Sequence, residues 1–229
     1  MISNKVYSKE EIKKNIDINL LVKLPNPWKE NKISKAKGLV YFLKKHFKEI
    51  LFLGISGSVA SGHPKKNDDI DLVIITKQNR LWLTRFKLRI FIFLNKIPHR
   101  KYGQKEIRDE FCFNLWLDEK ELKLPKEKQT LQSATDLIMV IPLINKQNIY
   151  EKFLLENDWS KKYLATGYYQ KTKDIKTKKE KFNMKQNWLD GLLNKAFFWP
   201  QYWYMRKKIT LEIINLHQAF FHKRNDRMK

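Results

Sequence analysis

The sequence predicts an α+β protein in which a mixed β-sheet is flanked by helices and followed by a helical C-terminal region. Three short apolar runs, at 50–55, 69–76 and 111–117, have the length and composition of strands. Amphipathic segments with helical spacing precede and separate these runs. After Thr130 the apolar residues are spaced as in helices, and no strand alternation is expected there.

The first part of the chain, residues 1–37, is expected to be a helical extension. Ser8 and Glu11 have the spacing of a capping box before a short amphipathic segment. A second helix is predicted over 34–47, and it leads directly into the strand at 50–55. The core of the chain is therefore expected to start at this point, with the helix and the strand that it leads into.

A turn rich in glycine and serine closes the first strand, with the sequence GISGSVASG at 54–62. If a short helix begins at Ser58, the backbone N–H groups of Gly57 and Ser58 lie unpaired at the positive end of the helix dipole. Glycine lets an anion approach the backbone, and the Ser58 hydroxyl adds a donor. The turn thus predicts a phosphate site at Gly57 and Ser58, with an ordinary turn as the alternative.

Two aspartates, Asp69 and Asp71, open the second strand and project to one face, because strand side chains alternate. Their Cα atoms are expected to be roughly 7 Å apart, so the carboxylates can converge on a hard divalent cation. Mg²⁺ or Mn²⁺ is the expected ion. Asp68 falls on the opposite face and is expected to serve the turn. The alternative is a charged strand end at the solvent edge.

This arrangement resembles the signature of the DNA polymerase beta-like nucleotidyltransferase superfamily. The shared features are a strand, Gly57-Ser58, ten intervening residues, and Asp69-Ile70-Asp71 before an apolar run. The GSVASG motif also resembles the form found in small stand-alone nucleotidyltransferases and in aminoglycoside nucleotidyltransferases. The resemblance implies that Gly57 and Ser58 hold the terminal phosphates of a nucleoside triphosphate (NTP). It also implies that Asp69 and Asp71 bind the metal ions that bridge those phosphates to the attacking hydroxyl.

The resemblance further implies a nucleotidyltransferase core at 38–125, followed by a helical region at 126–229. The implied reaction moves a nucleoside monophosphate from an NTP, with ATP as a candidate, to an acceptor hydroxyl and releases pyrophosphate. The acceptor is left open among RNA, a protein and a small molecule. Lys65 and Lys66, in the loop between the two motifs, are expected to neutralise triphosphate charge, or else to be solvated loop lysines.

The strand at 111–117 departs from the superfamily pattern. A third carboxylate would come from this strand, but the mid-strand polar residue is Asn114. An amide oxygen can coordinate a metal but cannot accept a proton, so the general base is unassigned. Glu110 and Asp118, at the two ends of the strand, are alternative third ligands. The FCFNLWL sequence resembles that of a group of predicted nucleotidyltransferases with asparagine at the position of Asn114.

Strict alternation along this strand predicts two faces. One face would carry Phe111, Phe113, Leu115 and Leu117, and the other Cys112, Asn114 and Trp116. We expect the Asn114 face to look toward the metal site, because a strand beside 69–76 is needed to close it. Asn114 also supports an alternative function, in which a catalytically weak or inactive module of this fold binds nucleic acid or a protein partner.

Composition bounds the class of protein and its partners. The chain has 229 residues, 42% of them apolar, which is enough for one substantial core. Its formal charge of +23 predicts attraction to nucleic acid and other phosphate-rich partners. Composition bias is the alternative, since 39 of the 47 basic residues are lysine. Seven lysines lie at 171–185, which we interpret as a solvated linker or a nucleic-acid contact.

The single cysteine, Cys112, excludes an internal disulfide and fits a reducing compartment. The N-terminus lacks the apolar core of a signal peptide, so a cytoplasmic protein is expected. The histidines lack zinc spacing, and His63 is expected either on a surface loop or beside a nucleotide.

Two apolar segments must be considered as possible membrane or binding segments. The run at 81–97 is short for a bilayer and carries Arg85, Lys87 and Arg89 in its middle, so we predict a core helix and no membrane span. A role at a membrane surface is the alternative. A helix interrupted at Pro200 is predicted over 185–221, and its aromatic group is expected to form core or a dimer face, or to stack bases.

Overall fold

The computed structural model describes residues 26–100, 107–175, 188–207, 209–210 and 212–221. The amphipathic segment expected after Ser8 lies outside the described residues, as do ten of the fifteen residues of the lysine-rich segment.

Helices and strands follow one another along the described chain. They are α1 Pro27–His46, β1 Ile50–Ile55, α2 Gly57–Ser61, β2 Ile70–Thr76, α3 Leu81–Leu94, β3 Phe111–Asp118, α4 Leu131–Met139, β4 Ile141–Asn145, α5 Ile149–Glu156, α6 Ala165–Thr172, α7 Trp188–Arg206, β5 Ile213–Ile214 and β6 Gln218–Phe220. Short 3₁₀ helices lie at Lys126–Lys128 and Asp158–Lys162.

The six strands form one mixed sheet in the order β4-β1-β2-β3-β6-β5. The central pair, β2 and β3, is parallel, and the other neighbouring strands are antiparallel. Parallel pairing requires a crossover, which α3 supplies. The predicted α+β class with a mixed sheet is confirmed.

The expectation that no strand follows Thr130 is wrong, because β4, β5 and β6 all belong to the sheet. Directly after Thr130 the helical spacing holds only as far as Met139, where α4 ends, and Ile141–Asn145 forms an edge strand that pairs with β1. Pro142 is tolerated there, because an edge strand has one row of N–H groups that no neighbour uses. The short β5 and β6 offer too few residues for visible alternation.

Helix α7 ends at Arg206 instead of extending to 221, and it continues through Pro200 without interruption. The division at 37/38 and 125/126 stays a prediction. Helix α1 runs across the first boundary, and the sheet draws strands from beyond the second.

Buried side chains fill both faces of the sheet. On one face Ile70, Leu72 and Ile74 of β2 pack with α1, α3 and α7. On the other face Val73 and Ile75 pack with α4, α5 and α6. Helix α3 is a core helix, as predicted, and it buries Leu81, Trp82, Leu88 and Ile92. The apolar side chains expected to face the core are instead exposed at Phe86, Ile90, Phe93 and Leu94. None of the helices in the described ranges is long and apolar enough to cross a bilayer.

A β-bulge lies in the middle of β3. In the parallel pairing Leu72 is opposite Phe113 and Val73 is opposite Leu115, so Asn114 is an extra residue. A bulge places two consecutive residues opposite one residue of the partner strand, and it reverses the side-chain alternation beyond it. The bulge therefore gives Asn114 a backbone position without a direct partner on β2.

The bulge overturns the strict alternation expected for 111–117. Leu115 and Leu117 pack with the second core cluster, on the face of Val73, whereas Trp116 packs with the first. Since β-bulges leave no clear mark in a short apolar run, alternation alone could not show where the faces exchange.

A buried lysine on α1 ties together the loops that precede β2 and β3. Lys32 is 1% exposed, and its Nζ donates to the Asp68 carbonyl oxygen at 2.6 Å and to Asp109 Oδ1 at 2.8 Å. Lys35 Nζ donates to the other Asp109 oxygen at 2.6 Å. Partial burial acts to raise the pKa of Asp109, but these two lysines lower it to about 2. The contacts fix the chain immediately before Asp69.

We predict that Lys32→Met lowers the free energy of unfolding by roughly 3 kcal/mol, because it removes the buried cation that links the Asp109 carboxylate to the Asp68 carbonyl. Lys35→Met is the matched control. Its Nζ lies on an exposed side chain, so its loss should cost less than about 1 kcal/mol. Urea unfolding at neutral pH measures both, and equal costs for the two variants would contradict the assigned role of Lys32.

A low pH should weaken the ion pairs that Asp109 makes with Lys32 and Lys35. The pKa of Asp109 is about 2 in the folded protein and about 3.9 in an unfolded chain, so its contribution is complete above about pH 5. This contribution is lost as the pH falls from about 4 to about 2. Asp109→Asn should flatten this part of the stability profile relative to the parent, and an unchanged acid limb would show that other groups produce it.

Candidate active site

Asp69 and Asp71 lie at the start of β2, where the loop fixed by Lys32 enters the sheet. Asp69 is 5% exposed and Asp71 is half-buried. One carboxylate oxygen of each and the Cys112 sulfur lie within 4.8 Å of one another. Such a spacing lets both carboxylates bind the same divalent cation or adjacent ones. The donor set therefore fits a hard metal ion.

The Gly-Ser turn packs directly against this pair. A short helix, α2, follows the strand as expected, but it begins at Gly57, one residue before Ser58, and Gly57 has a φ of +66°. A Cβ at this position would lie 2.3 Å from Asp71 Oδ2. The Ser56 N–H donates to the Asp71 carbonyl oxygen at 2.9 Å, which holds the turn on the strand. Both the positive φ and the close approach require glycine at 57. Ser58 follows in the first turn of α2 and is half-buried.

A carboxylate from the C-terminal half of the chain also reaches this turn. Asp136 Oδ1, on α4, accepts the Gly57 N–H at 3.3 Å. Gln132 Nε2, one helical turn earlier, donates to the same carboxylate at 3.2 Å. Asp136 therefore takes the backbone donor that the sequence analysis assigned to a phosphate. Sequence reasoning missed it, because its partner lies 79 positions away and the surrounding pattern shows only a helix.

Two donors balance the paired aspartates. Arg100 Nη1 donates to Asp69 Oδ2 at 2.9 Å, and the Asn114 amide donates to Asp71 Oδ1. Burial acts to lower the pKa of Arg100, but Cys112 and the two aspartates outweigh it, so the pKa is raised and the guanidinium stays charged. Arg100 follows α3 in a basic region of the chain, and nothing in the sequence distinguished it from other basic residues.

Cys112 and Asn114 form a short hydrogen-bonded chain beside the aspartates. The Cys112 thiol donates to Asn114 Oδ1 at 2.7 Å, and the Asn114 nitrogen faces Asp71. Burial, with the charges of Asp71 and Asp69, raises the pKa of Cys112, so the thiol is protonated. Hard cations prefer oxygen ligands, and a neutral thiol is a poor one. The structure thus places Asn114 against Asp71, where it orients the carboxylate.

The loop between the motifs contains the remaining predicted residues. Asp68 Oδ2 accepts the Lys65 N–H at 2.9 Å, so its expected turn role is confirmed. The Lys66 ammonium lies 5.7 Å from the centre of the Trp28 ring on α1. Lys65 and His63 are exposed. A phosphate role for the two lysines stays a prediction.

Of the two alternative third ligands, Asp118 is excluded by its position. It pairs with Thr76 at the far end of β3, where its buried carboxylate accepts from His217 Nδ1 at 2.8 Å. Glu110 precedes β3, and its carbonyl oxygen accepts the Ile70 N–H at 2.8 Å. Its Oε2 is buried without a hydrogen-bond partner among the described residues. Glu110 therefore remains a candidate third ligand, although its carboxylate is not among the ligand atoms that lie within 4.8 Å of one another.

The comparisons with known proteins agree with this geometry. No curated protein and no solved structure gives a significant match to the chain. A family described as the nucleotidyltransferase domain matches residues 36–165, which include the turn, both aspartates, Asn114 and Asp136. This match covers more than half of the chain. The chain therefore belongs to the nucleotidyltransferase domain family.

Proposed function

We propose that the protein transfers a nucleoside monophosphate from an NTP, with ATP as a candidate, to an acceptor hydroxyl and releases pyrophosphate. The observation that carries this proposal is the convergence of the Asp69 and Asp71 carboxylates against a turn that only Gly57 can form. Family membership supports it. RNA, a protein side chain and a small molecule remain candidate acceptors.

Asp69 and Asp71 would hold Mg²⁺ or Mn²⁺, which when bound neutralises the charge that develops on the phosphates. Asn114 keeps the Asp71 carboxylate aimed at this position through its amide donor. Gly57 and Ser58 would bind the departing phosphates. Arg100 supplies positive charge at Asp69, beside the position that the metal ion would occupy.

Asp136 would have to leave the Gly57 N–H when a triphosphate binds, because one donor cannot serve both anions. It is poorly placed as general base. In an in-line displacement the attacking hydroxyl and the leaving phosphates lie on opposite sides of the α-phosphate, and Asp136 lies on the leaving side. We therefore assign Asp136 a gating role at the phosphate turn. Glu110, with its unpaired carboxylate oxygen, is the better candidate base.

A second function is supported by Asn114. An amide in place of the third carboxylate removes a proton acceptor and one negative ligand. A weakly active or inactive module that binds nucleic acid or a protein partner would tolerate this change. Such a module would bind nucleotide or partner without transferring label, which distinguishes the two functions.

The first test follows the transferred group. Each NTP labelled at the α-phosphate would be incubated with the protein, Mg²⁺ or Mn²⁺ and cell extract, and label would be sought in RNA, protein and small molecules. We expect transfer by the parent and a loss of roughly a hundredfold or more in Asp69→Asn and Asp71→Asn, because each removes a metal ligand. Asp68→Asn is the neighbouring control and should retain activity.

Transfer that persists in Asp71→Asn would refute the assigned metal site. If the parent transfers no label to any fraction but binds NTP, the inactive module is the correct function.

The gating role of Asp136 predicts tighter nucleotide binding when its charge is removed. Asp136→Asn should raise the affinity for a non-hydrolysable NTP roughly fivefold, the effect of losing one competing charge-assisted contact of about 1 kcal/mol. Isothermal titration at saturating Mg²⁺ measures it. Asp158→Asn makes the same charge change at an exposed carboxylate and should have no effect. Weaker binding in Asp136→Asn would show that Asp136 helps to hold the metal-nucleotide complex.

A further inference from the structure

An apolar groove lies between α3 and α7, on the sheet face opposite Asp71 and Val73. Its volume is about 560 Å³, and its walls are formed by Phe86, Ile90 and Phe93 of α3 with Phe197, Pro200 and Tyr204 of α7. Phe86 packs on Phe197 across the groove, with ring centres 5.0 Å apart. The groove is therefore a formed feature of the helix pair.

The lining residues Phe93 and Tyr204, and the residues next to them in the chain, Leu94 and Trp203, expose much of their apolar surface. Phe93 is 78% exposed, Leu94 70%, Tyr204 66% and Trp203 64%. They extend the apolar part of α3 that the sequence predicted to be core. Monomeric proteins rarely expose an apolar patch of this kind unless it meets a partner. The groove and its rim thus form an interaction surface.

The charges at this surface are cationic. Arg89 lines the groove, and Arg85 lies one helical turn before it, buried beneath the lining residue Gln201. Arg85 donates to Gln201 Oε1 at 2.5 Å and to Met205 Sδ at 3.4 Å, and its guanidinium lies over the Phe221 ring.

Neither guanidinium has a carboxylate partner in the part of the chain that the structure describes. Burial lowers the pKa of Arg85, and the charge of Arg89 lowers it further. A buried cation without a counter-charge is costly, so an anion at the groove would stabilise this pair.

We propose that the groove and its rim dock onto an anionic phospholipid surface. An acyl chain would enter the apolar groove, an anionic headgroup would pair with Arg89, and Trp203 and Tyr204 would lie at the level of the headgroups. Aromatic side chains with polar atoms favour that interface, and basic residues beside them add attraction to anionic lipid.

The same observations argue against the other occupants. A second copy of the chain, paired through this surface, would bring two surfaces together that both carry Arg89 and offer it no carboxylate. A nucleic acid would place polar base edges against walls that are mostly apolar. The docking surface lies on the sheet face opposite the aspartates, so a docked molecule keeps its active site open, and the inference does not rest on nucleotidyl transfer.

Sedimentation with sucrose-loaded vesicles tests this surface on the full chain. We expect binding to vesicles of phosphatidylcholine mixed with phosphatidylglycerol and little binding to phosphatidylcholine alone. Phe93→Glu should weaken binding roughly tenfold or more, because it puts a charge into the buried contact, and Arg89→Gln severalfold. Tyr41→Glu is the matched control, since Tyr41 is 75% exposed on α1 and does not line the groove.

Three outcomes would overturn the proposal. Equal losses in Phe93→Glu and Tyr41→Glu would show binding through general charge. A parent dimer that Phe93→Glu dissociates would assign the surface to a second copy. Single-stranded RNA binding that Phe93→Glu abolishes, without vesicle binding by the parent, would assign it to nucleic acid. Phe93 is largely exposed, so the variant should fold, which circular dichroism verifies.

Discussion

The site depends on holding two like charges together. Asp69 and Asp71 repel each other at the start of β2, and the partly buried setting makes that repulsion stronger than in water. Arg100 and the Asn114 amide compensate in the structure as it stands, one donor on each carboxylate. A divalent cation would compensate more completely, because it attracts both carboxylates at once. A metal bound here would thus relieve the repulsion that the fold imposes.

The fold holds Asp69 and Asp71 close together through contacts made before and beside β2. Lys32 fixes the loop ahead of Asp69, and the Gly57 turn blocks Asp71 from moving away. The bulge at Asn114 lets this side chain face Asp71 while Leu115 stays in the core. Asn114 therefore has a structural role at this site, because it orients the Asp71 carboxylate. This role does not require Asn114 to accept a proton.

The sequence predicted those parts of the site whose partners are near in the chain. Gly57, Asp69 and Asp71 fall within fifteen residues, and strand alternation places both carboxylates on one face. Asp136 and Lys32 were missed, because their contacts span more than thirty residues and their residue types are common in this chain.

In the sheet, too, the sequence predicted only the strands that have a clear pattern of their own. Strands β1, β2 and β3 have long apolar runs that predict them, whereas β4 contains a proline and β6 has only three residues. Such short or proline-containing strands are defined by the neighbours they pair with and not by their own pattern. The exposed apolar half of α3 was predicted as core for a related reason, since helical periodicity does not show whether another element covers it.

The most direct test of the account is whether the two carboxylates, and not the thiol, hold the metal. Mn²⁺ can be titrated into the protein with and without a non-hydrolysable NTP, and the free ion followed by electron paramagnetic resonance. We predict that nucleotide tightens Mn²⁺ binding, that Asp71→Asn removes this tightening, and that Cys112→Ser leaves it intact. Mn²⁺ binding that survives Asp71→Asn but is lost in Cys112→Ser would contradict the account.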